Sequence, residues 1–380
     1  MLGLLIVGIS FTLFYVGLMY YYLKAWEDVP ESQIAETENW PAVSVLIPVR
    51  NEAANIAQLI EDILAQDYPV DQLEIIVIDD HSTDNTASIV KGFPQKNVRL
   101  LDLEAILANA PESAAYKKRA IEAGVQHAKG DWILTTDGDC RLGVFWVKSM
   151  VSAAWQQDAK LVTGPVLLAP YQSLFEQFQS LDFQGMIGIT AASLHRGMYN
   201  LANGANLLYE KAAFLAVDGY KDIDQTPSGD DMLLVYKIAK AYHGSVAFVK
   251  NTNAIVATKP MASLDDFLQQ RFRWTSKSGH YQDKRITAIL GLVYLSVLMI
   301  PLNIIVGFFC CPMLIVIAGI QFFSKSVIDY IFLGKMAAWY RREELMKTFW
   351  SSQVMHIIYI VGVGTLGNIL QYKWKGRKLK

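Results

Sequence analysis

The sequence predicts an α/β domain that lies between apolar helices long enough to cross a membrane. Short strand-like apolar runs at residues 43–47, 74–78 and 132–135 alternate with helical segments, which favours a parallel sheet with covering helices. Apolar runs close to the roughly 20 residues needed for a membrane span stand at the start and in the last third of the chain. Hydrophobic residues make up 52% and charged residues 18% of the 380 residues, a composition that is apolar for a soluble protein.

Charge and cysteine content exclude several classes of protein. The formal net charge of -2 gives no basic field for nucleic acid, so no nucleic-acid partner is expected. Cys140, Cys310 and Cys311 form neither a disulfide framework nor a metal-finger spacing, and the six histidines show no ligand pattern. Any metal site is therefore expected to use oxygen ligands.

The first segment, residues 1–26, is predicted to be a retained transmembrane helix. Residues 2–23 are uncharged, and the segment lacks the basic start and small-residue cleavage site of a signal peptide. The polar and acidic segment 27–41 is predicted to be a linker.

Residues 42–260 are predicted to form the catalytic domain, because acids follow its strands. Asp79 and Asp80 come directly after the second strand, and Asp137-Gly138-Asp139 follows the strand at 132–135. Ligands collect at the carboxyl ends of parallel strands, so both acidic pairs are expected at one edge of the sheet. Asp137 and Asp139 can hold a hard cation and leave positions for phosphate oxygens, with Gly138 allowing a bulky anion to approach; a surface turn is the alternative.

Asp230 and Asp231 open a later helix of the same domain, after a glycine-bearing loop at 203–206. Negative charge at the start of a helix complements the helix dipole. This explains the presence of one aspartate here well, and the presence of two less well.

Residues 261–285 are predicted to contain an amphipathic helix. Leu264, Leu268 and Phe272 share one face, whereas Gln270, Arg273 and Trp274 gather on the other. An arginine, an amide and an indole on one face suit binding of an anion and a ring. A helix lying on the membrane surface is the alternative, and both can hold.

Residues 286–372 are predicted to hold about three transmembrane helices, followed by a basic tail at 373–380. Lys24 and the basic link at 335–347 favour a multi-pass protein of the cell membrane with a cytoplasmic catalytic domain. Three spans would leave the basic tail outside, so a re-entrant or interfacial segment remains an alternative.

The ordered motifs resemble the membrane-bound family-2 glycosyltransferases, a group that includes cellulose, chitin and hyaluronan synthases and ceramide glucosyltransferase. The resemblance covers about residues 41–274 and implies an A-type glycosyltransferase fold with a Rossmann-like mixed sheet. The motifs that carry it are Pro48-Val49-Arg50-Asn51-Glu52, Asp79-Asp80-His81-Ser82-Thr83-Asp84, Asp137-Gly138-Asp139, Gly229-Asp230-Asp231 and Gln270-Arg271-Phe272-Arg273-Trp274.

The resemblance implies a nucleotide-sugar donor, a UDP-sugar, and a metal-dependent inverting transfer. It assigns the nucleoside pocket to Pro48, Glu52, Asp79 and Asp80, the donor ribose or sugar to Asp137, and Mg²⁺ or Mn²⁺ to Asp139, with Asp137 beside it. It also assigns the diphosphate to Arg273, the acceptor to Trp274 in the motif that begins at Gln270, and the general base to Asp231.

Two departures from the family pattern concern the donor edge. Members often carry Gly-Lys and then an Ala-Leu-Asn helix, whereas Ala115-Tyr116-Lys117 lacks the glycine and Glu122 replaces the asparagine. Lys117 is therefore a candidate donor contact, with a surface-helix lysine as the alternative. Residues 103–114 look like an extra excursion beside this edge.

Two acceptors stay open, a lipid and a growing polysaccharide. A nucleotide-regulated transporter or membrane scaffold is the alternative from another class; it predicts unpaired charges within spans, but Lys325 and Asp329 are four residues apart and can pair. A Rossmann dehydrogenase is disfavoured, because Arg50-Asn51-Glu52 stands where its glycine-rich turn would be.

Overall fold

The computed structural model describes residues 2–107, 115–199, 201–223, 229–276, 283–367, 372–374 and 377–379. The chain divides into two compact units. Residues 29–170 and 193–259 form one, called here the sheet unit, and residues 1–28, 171–192 and 260–380 form the other, called the helical unit. The predicted catalytic domain at 42–260 therefore includes a segment, 171–192, that groups with the helical unit.

A seven-stranded mixed sheet is the centre of the sheet unit. Its strand order is β3-β2-β1-β4-β8-β6-β9. The first four strands in that order run parallel, β8 is antiparallel to both β4 and β6, and β9 is parallel to β6. The predicted mixed sheet is confirmed. The strands of the unit are β1 (Val43–Val49), β2 (Leu73–Asp79), β3 (Val98–Asp102), β4 (Trp132–Thr135), β5 (Arg141–Leu142), β6 (Leu161–Thr163), β7 (Val166–Leu168), β8 (Leu207–Glu210), β9 (Val246–Phe248) and β10 (Val256–Thr258).

Helices cover this sheet because their apolar residues recur at helical spacing. In α2 the side chains of Ile56, Leu59, Ile60 and Ile63 are all buried, as the pattern predicts. A smaller sheet in the order β5-β10-β7 stands beside the main one. The helices of the unit are α2 (Ile56–Leu64), α3 (Thr86–Lys91), α4 (Leu103–Ile106), α5 (Tyr116–His127), α6 (Trp146–Gln156), α8 (Lys211–Ala216) and α9 (Asp230–Ala241).

The segment predicted to be a linker is fastened to the sheet unit from Val29 onward. Gln156 Oε1 accepts a hydrogen bond from the Gln33 amide at 3.2 Å, and Gln156 Nε2 donates to the Gln33 carbonyl at 2.7 Å. The Ala35 amide donates to Ser152 Oγ at 2.9 Å. Polar composition predicted a linker, and the structure adds hydrogen bonds from side chains more than 100 positions away in the sequence.

The helical unit contains α1 (Leu2–Asp28), most of α7 (Leu174–His195), α10 (Leu264–Thr275), α11 (Lys284–Phe309), α12 (Met313–Trp339) and α13 (Phe349–Leu366). Four of these helices, α1 and α11 to α13, are long and apolar enough to cross a membrane. Large apolar side chains such as Ile304, Phe308 and Ile320 are exposed on them, as expected of helices that face lipid. The predicted helical segments are thus present. The described part of the basic tail pairs as two antiparallel strands, β11 (Tyr372–Trp374) and β12 (Arg377–Leu379).

A buried ion pair joins three of the apolar helices. Lys325 Nζ lies 2.5 Å from Asp329 Oδ2 and 2.7 Å from Gln353 Oε1, and the Tyr15 hydroxyl donates to Asp329 Oδ1 at 2.9 Å. The two charged side chains are only 4% and 7% exposed. Since a buried charge is costly unless it is paired and hydrogen-bonded, this set fixes α1, α12 and α13 against one another.

Removing the cation of this pair is expected to destabilise the protein strongly. Lys325→Met leaves the Asp329 carboxylate buried without its counter-ion, so the free energy of unfolding should fall by about 3–5 kcal/mol. Lys325→Met combined with Asp329→Leu should recover part of that loss. Thermal unfolding of the purified protein in detergent measures both.

Lys335 on the same helix provides a matched control, because it pairs with Glu27 at 2.9 Å while 53% exposed. Lys335→Met should cost about 1 kcal/mol or less. Equal losses from the two single substitutions would contradict the role assigned to the buried pair.

Candidate active site

The loops that follow β1 and β2 are hydrogen-bonded to each other. Asn51 Oδ1 accepts the Thr83 amide at 2.8 Å, and the Glu52 amide donates to Thr86 Oγ1 at 2.8 Å. Asn51 has a φ of 55°, a left-handed conformation that asparagine tolerates better than most residues. Two motifs that are about 30 residues apart in the sequence therefore form one fixed edge.

The four residues predicted to form the nucleoside pocket stand at this edge. Pro48 lies near the end of β1, and Asp79 ends β2, with Asp79 Oδ1 accepting the Ser82 amide at 3.2 Å. Asp80 is buried and its Oδ1 lies 2.8 Å from His81 Nδ1. Glu52 Oε2 accepts from Asn55 at 2.9 Å. Each acid thus has a fixed orientation.

The Asp-Gly-Asp motif reaches the same edge, since β4 pairs in parallel with β1. Close packing against the protein explains the glycine at position 138, whereas the sequence predicted that this glycine allows an anion to approach. A Cβ there would lie 2.9 Å from Glu52 Cγ and 3.0 Å from Val49 Cγ1, so protein side chains already occupy that space. The glycine allows the third motif to pack directly on the first.

Cys140, next to Asp139, is a neutral thiol. Burial raises its pKa well above the usual value, and the charges of Asp137 and Asp139 raise it further. Its Sγ lies 3.9 Å from Asp139 Oδ1. The acids of this motif therefore present oxygen ligands without a competing thiolate.

Lys117 lies among the acids of the site. Its Nζ is 2.7 Å from Asp137 Oδ1 and 3.3 Å from Asp230 Oδ2, and its side chain is 20% exposed. Burial alone would lower the pKa of Lys117, but attraction to Asp137, Asp230 and Asp231 outweighs it and raises that pKa. The Lys117 side chain thus forms ion pairs among the acids of the site, in contrast to a surface-helix lysine.

Asp230 and Asp231 are brought to Lys117 by a glycine turn. Gly229 has a φ of 82°, a left-handed conformation that favours glycine, and α9 begins at the next residue. Asp231 Oδ2 accepts the Gly204 amide at 3.4 Å and its Oδ1 accepts the Met232 amide at 2.7 Å. The contact with the Met232 amide, in the first turn of α9, agrees with the helix-dipole explanation for Asp231, whereas Asp230 takes part in the ion pair.

Gly204, in the glycine-bearing loop, closes the other side of this cluster. A Cβ there would lie 3.0 Å from Asp230 Oδ2 and 3.3 Å from Lys117 Nζ. Thr135 Oγ1, at the end of β4, donates to the Gly204 carbonyl at 2.8 Å. The loop is therefore held against the strand that leads to Asp137.

The same helix that carries Lys117 also holds the chain that leads to α9. Lys118 Nζ donates to the Ile223 carbonyl at 2.5 Å, and Glu122 Oε1 accepts the Tyr220 amide at 3.1 Å. Glu122 is the residue that departs from the family asparagine, and its carboxylate makes this contact. The predicted excursion at 103–114 lies partly outside the described residues; its described part contains the short helix α4.

The amphipathic helix α10 belongs to the helical unit, and its buried face differs from the prediction. Leu264 is 61% exposed, whereas Phe267 and Phe272 are buried. Phe272 and Leu268 pack against Val363 and Tyr359 of α13. Leu264 stands at the first position of the helix and is exposed, although it was predicted to share a face with Leu268 and Phe272.

Arg271, which the sequence analysis passed over, lies at the centre of that buried face. Its Nη2 is 3.0 Å from Asp182 Oδ2 on α7, and Asp182 also lies 3.0 Å from His356 Nδ1 and 3.1 Å from the Tyr359 hydroxyl on α13. The guanidinium stands 4.4 Å from the centroid of the Trp274 ring. Asp182 therefore joins three helices and fixes the arginine on which Trp274 stacks.

The other predicted residues of this motif are half-buried on α10. Trp274 also packs near Phe183, at 5.9 Å between ring centroids. Gln270 and Arg273 lie on the same helix, within the helical unit. Their assignment to the diphosphate and the acceptor stays a prediction.

The chemistry of the acids fits a divalent cation that takes further ligands from substrate. Asp137 and Asp139 offer carboxylate oxygens, the ligands that Mg²⁺ and Mn²⁺ prefer. A cation already stands at Asp137, in the form of the Lys117 ammonium. Within the described ranges, no three histidine, cysteine, aspartate or glutamate side chains are arranged to hold a metal by themselves. Oxygens of a diphosphate would complete such a site.

Residues 44–210 match the sequence profile described as "Glycosyl transferase family 2". This region of the chain therefore resembles the family-2 glycosyltransferases. Glycosyltransferase AglE of Haloferax volcanii is 26% identical over 246 residues, which cover 62% of this chain and 73% of that relative. Poly-β-1,6-N-acetyl-D-glucosamine synthase of Staphylococcus epidermidis is 25% identical over 59% of this chain and 52% of the synthase. The match thus spans about half the length of the synthase.

A solved structure shares the fold of this chain. The mannosyltransferase PcManGT from Pyrobaculum calidifontis, in complex with GDP-Man and Mn²⁺, aligns with a TM-score of 0.53 at 17% identity. The alignment covers 93% of this chain and 99% of that chain. The expected A-type fold with a mixed sheet is confirmed, and dependence on a divalent metal is typical of the family.

Gly204 offers a test of how tightly the acids and Lys117 are packed. Gly204→Ala places a methyl group against Asp230 and Lys117, so the free energy of unfolding should fall by about 1–3 kcal/mol. Gly143→Ala in the same unit is the control, because the nearest atom to its Cβ is 3.8 Å away. Thermal unfolding that shows equal stability for the two variants would argue against close packing at Gly204.

Proposed function

We propose that the protein is a membrane-integrated inverting glycosyltransferase that transfers a sugar from a UDP-sugar to a lipid or a growing polysaccharide. The observation that carries this proposal is the meeting of Asp137, Lys117 and Asp230 through ion pairs of 2.7 and 3.3 Å. These contacts bring the Asp-Gly-Asp motif together with the start of the helix that carries Asp231. A donor edge and a base thereby belong to one site.

The donor nucleoside is assigned to the edge formed by β1 and β2. Pro48 and Glu52 form one wall, and Asp79 and Asp80 accept hydrogen bonds from the base and the ribose. The hydrogen bonds from Ser82 and Asn55 support this assignment, because they orient acids of the edge in advance. Pre-oriented groups lose less entropy when a ligand binds.

A divalent cation, Mg²⁺ or Mn²⁺, is assigned to Asp139 with Asp137 beside it. When bound, such an ion neutralises charge on the diphosphate leaving group. Arg273 is assigned to the same diphosphate, where a guanidinium binds phosphate oxygens in a fork. Trp274 is assigned to the acceptor, and its stacking on Arg271 supports a fixed indole face.

Asp231 is assigned to proton removal. Its carboxylate is oriented by the amides of Gly204 and Met232. In the transfer, the acceptor oxygen bonds to the anomeric carbon, the bond from that carbon to the phosphate oxygen breaks, and the acceptor proton passes to Asp231. The electron pair leaves with the diphosphate. A single displacement of this kind inverts the anomeric centre.

The membrane placement rests on the four apolar helices, and the cytoplasmic orientation rests on Lys24 and the basic link at 335–347. The relative named as a polysaccharide synthase supports a polymer acceptor, and separating products into lipid-soluble and polymeric fractions decides between the two acceptors. The transporter or scaffold alternative predicts unpaired charges within spans, whereas Lys325 and Asp329 are paired.

Substitution of the two assigned acids should separate catalysis from donor binding. Asp231→Asn should lower the transfer rate by about 10²–10⁴-fold, the usual contribution of a general base, while donor affinity is unchanged. Asp139→Asn should weaken donor binding in the presence of Mn²⁺ as well. The measurement incubates the purified full-length protein with a panel of radiolabelled nucleotide sugars and Mn²⁺.

Asp218→Asn is the matched control, since this aspartate is 71% exposed in the same unit and pairs only loosely with Lys221 at 3.5 Å. It should behave as the unmodified protein. Full transfer by both Asp139→Asn and Asp231→Asn would overturn the mechanism, and failure to bind any nucleotide sugar would favour the scaffold.

A further inference from the structure

Lys117 occupies a position that the proposed function assigns to an added cation. Its ammonium group lies 2.7 Å from an oxygen of Asp137, in the motif assigned to Mg²⁺ or Mn²⁺. A divalent ion that uses Asp137 must displace this ammonium or share the carboxylate with it. Since two cations repel at such distances, the lysine opposes metal binding in the absence of other ligands.

The helix that carries Lys117 is held in place. Lys118 and Glu122 of the same helix bind the Ile223 carbonyl and the Tyr220 amide, so α5 is fixed relative to the chain that leads to α9. Lys117 can therefore leave Asp137 by a change of its own side-chain torsions, without movement of the helix.

A donor diphosphate changes the balance at this position. It brings negative charge that attracts both cations. It also brings oxygen ligands for the metal, and the described side chains do not supply enough ligands by themselves. The ammonium can then turn from Asp137 to the diphosphate or stay with Asp230, 3.3 Å away. Binding of the donor thereby changes the ion pairs at the start of α9, the helix that carries Asp231.

We propose that Lys117 is the resident cation of the donor-free site: it takes the place of the divalent ion on Asp137, so that the ion binds together with the donor diphosphate. The bond to Asp230 couples this exchange to the helix of the proposed base. This inference rests on the proposed function, because it takes the Asp-Gly-Asp motif as the metal site.

Titration of the purified full-length protein with Mn²⁺, with and without a nucleoside diphosphate, tests the inference without any turnover. Uridine and guanosine diphosphate are both used, and free Mn²⁺ is followed by its electron paramagnetic resonance signal. In the unmodified protein, whichever of the two nucleoside diphosphates binds should lower the dissociation constant of Mn²⁺ at least tenfold. In Lys117→Gln, Mn²⁺ should bind about tenfold more tightly without nucleotide, because one partly screened unit charge is gone.

Two further variants make the result specific. Lys117→Arg keeps a cation and should keep the weak binding of Mn²⁺ without nucleotide. Lys148→Gln removes a lysine from a pair with Asp67 of similar length, 2.8 Å, that involves none of the site residues. It should behave as the unmodified protein.

The outcomes separate this inference from the proposed function. Equal Mn²⁺ affinity of the unmodified protein and Lys117→Gln without nucleotide, combined with strong nucleotide-dependent binding in both, would overturn the inference alone. Absence of nucleotide-dependent Mn²⁺ binding in the unmodified protein would overturn the proposed function and the inference with it.

Discussion

The ion pairs of Lys117 are the constraint on which the candidate site depends. They join Asp137, at the end of a central strand, to Asp230, which opens a helix about a hundred residues later in the chain. Three acids near one lysine leave an excess of negative charge, which an anionic donor cannot approach without a cation. The divalent ion proposed for this site would offset that excess, while the lysine partly compensates the acids in the donor-free form.

Buried charges are also paired in the helical unit. Lys325 with Asp329, and Arg271 with Asp182, are buried pairs whose aspartates also accept hydrogen bonds from neighbouring helices. Each pair fixes at least three helices, and the second pair also sets the position of the helix with Gln270, Arg273 and Trp274. Buried charge thus determines the arrangement of helices whose apolar surfaces alone would pack in many ways.

Local pattern was sufficient to predict strands β1, β2 and β4, the acids that follow β2 and β4, and the apolar helices, because each follows from periodicity or from the end of an apolar run. Partners distant in sequence were not predictable. Arg271 and Asp182 are 89 residues apart and share no periodic pattern. Lys117 resembled a surface residue in the sequence because its partners, Asp137 and Asp230, lie on other elements.

The most direct test is an experimental structure of the full-length protein with Mn²⁺ and the nucleoside diphosphate that it binds. The account predicts the ion on Asp139, shared with diphosphate oxygens, and the Lys117 ammonium beyond hydrogen-bonding distance of Asp137. An ion bound away from Asp139, or a Lys117–Asp137 contact still at 2.7 Å beside the bound ion, would contradict it.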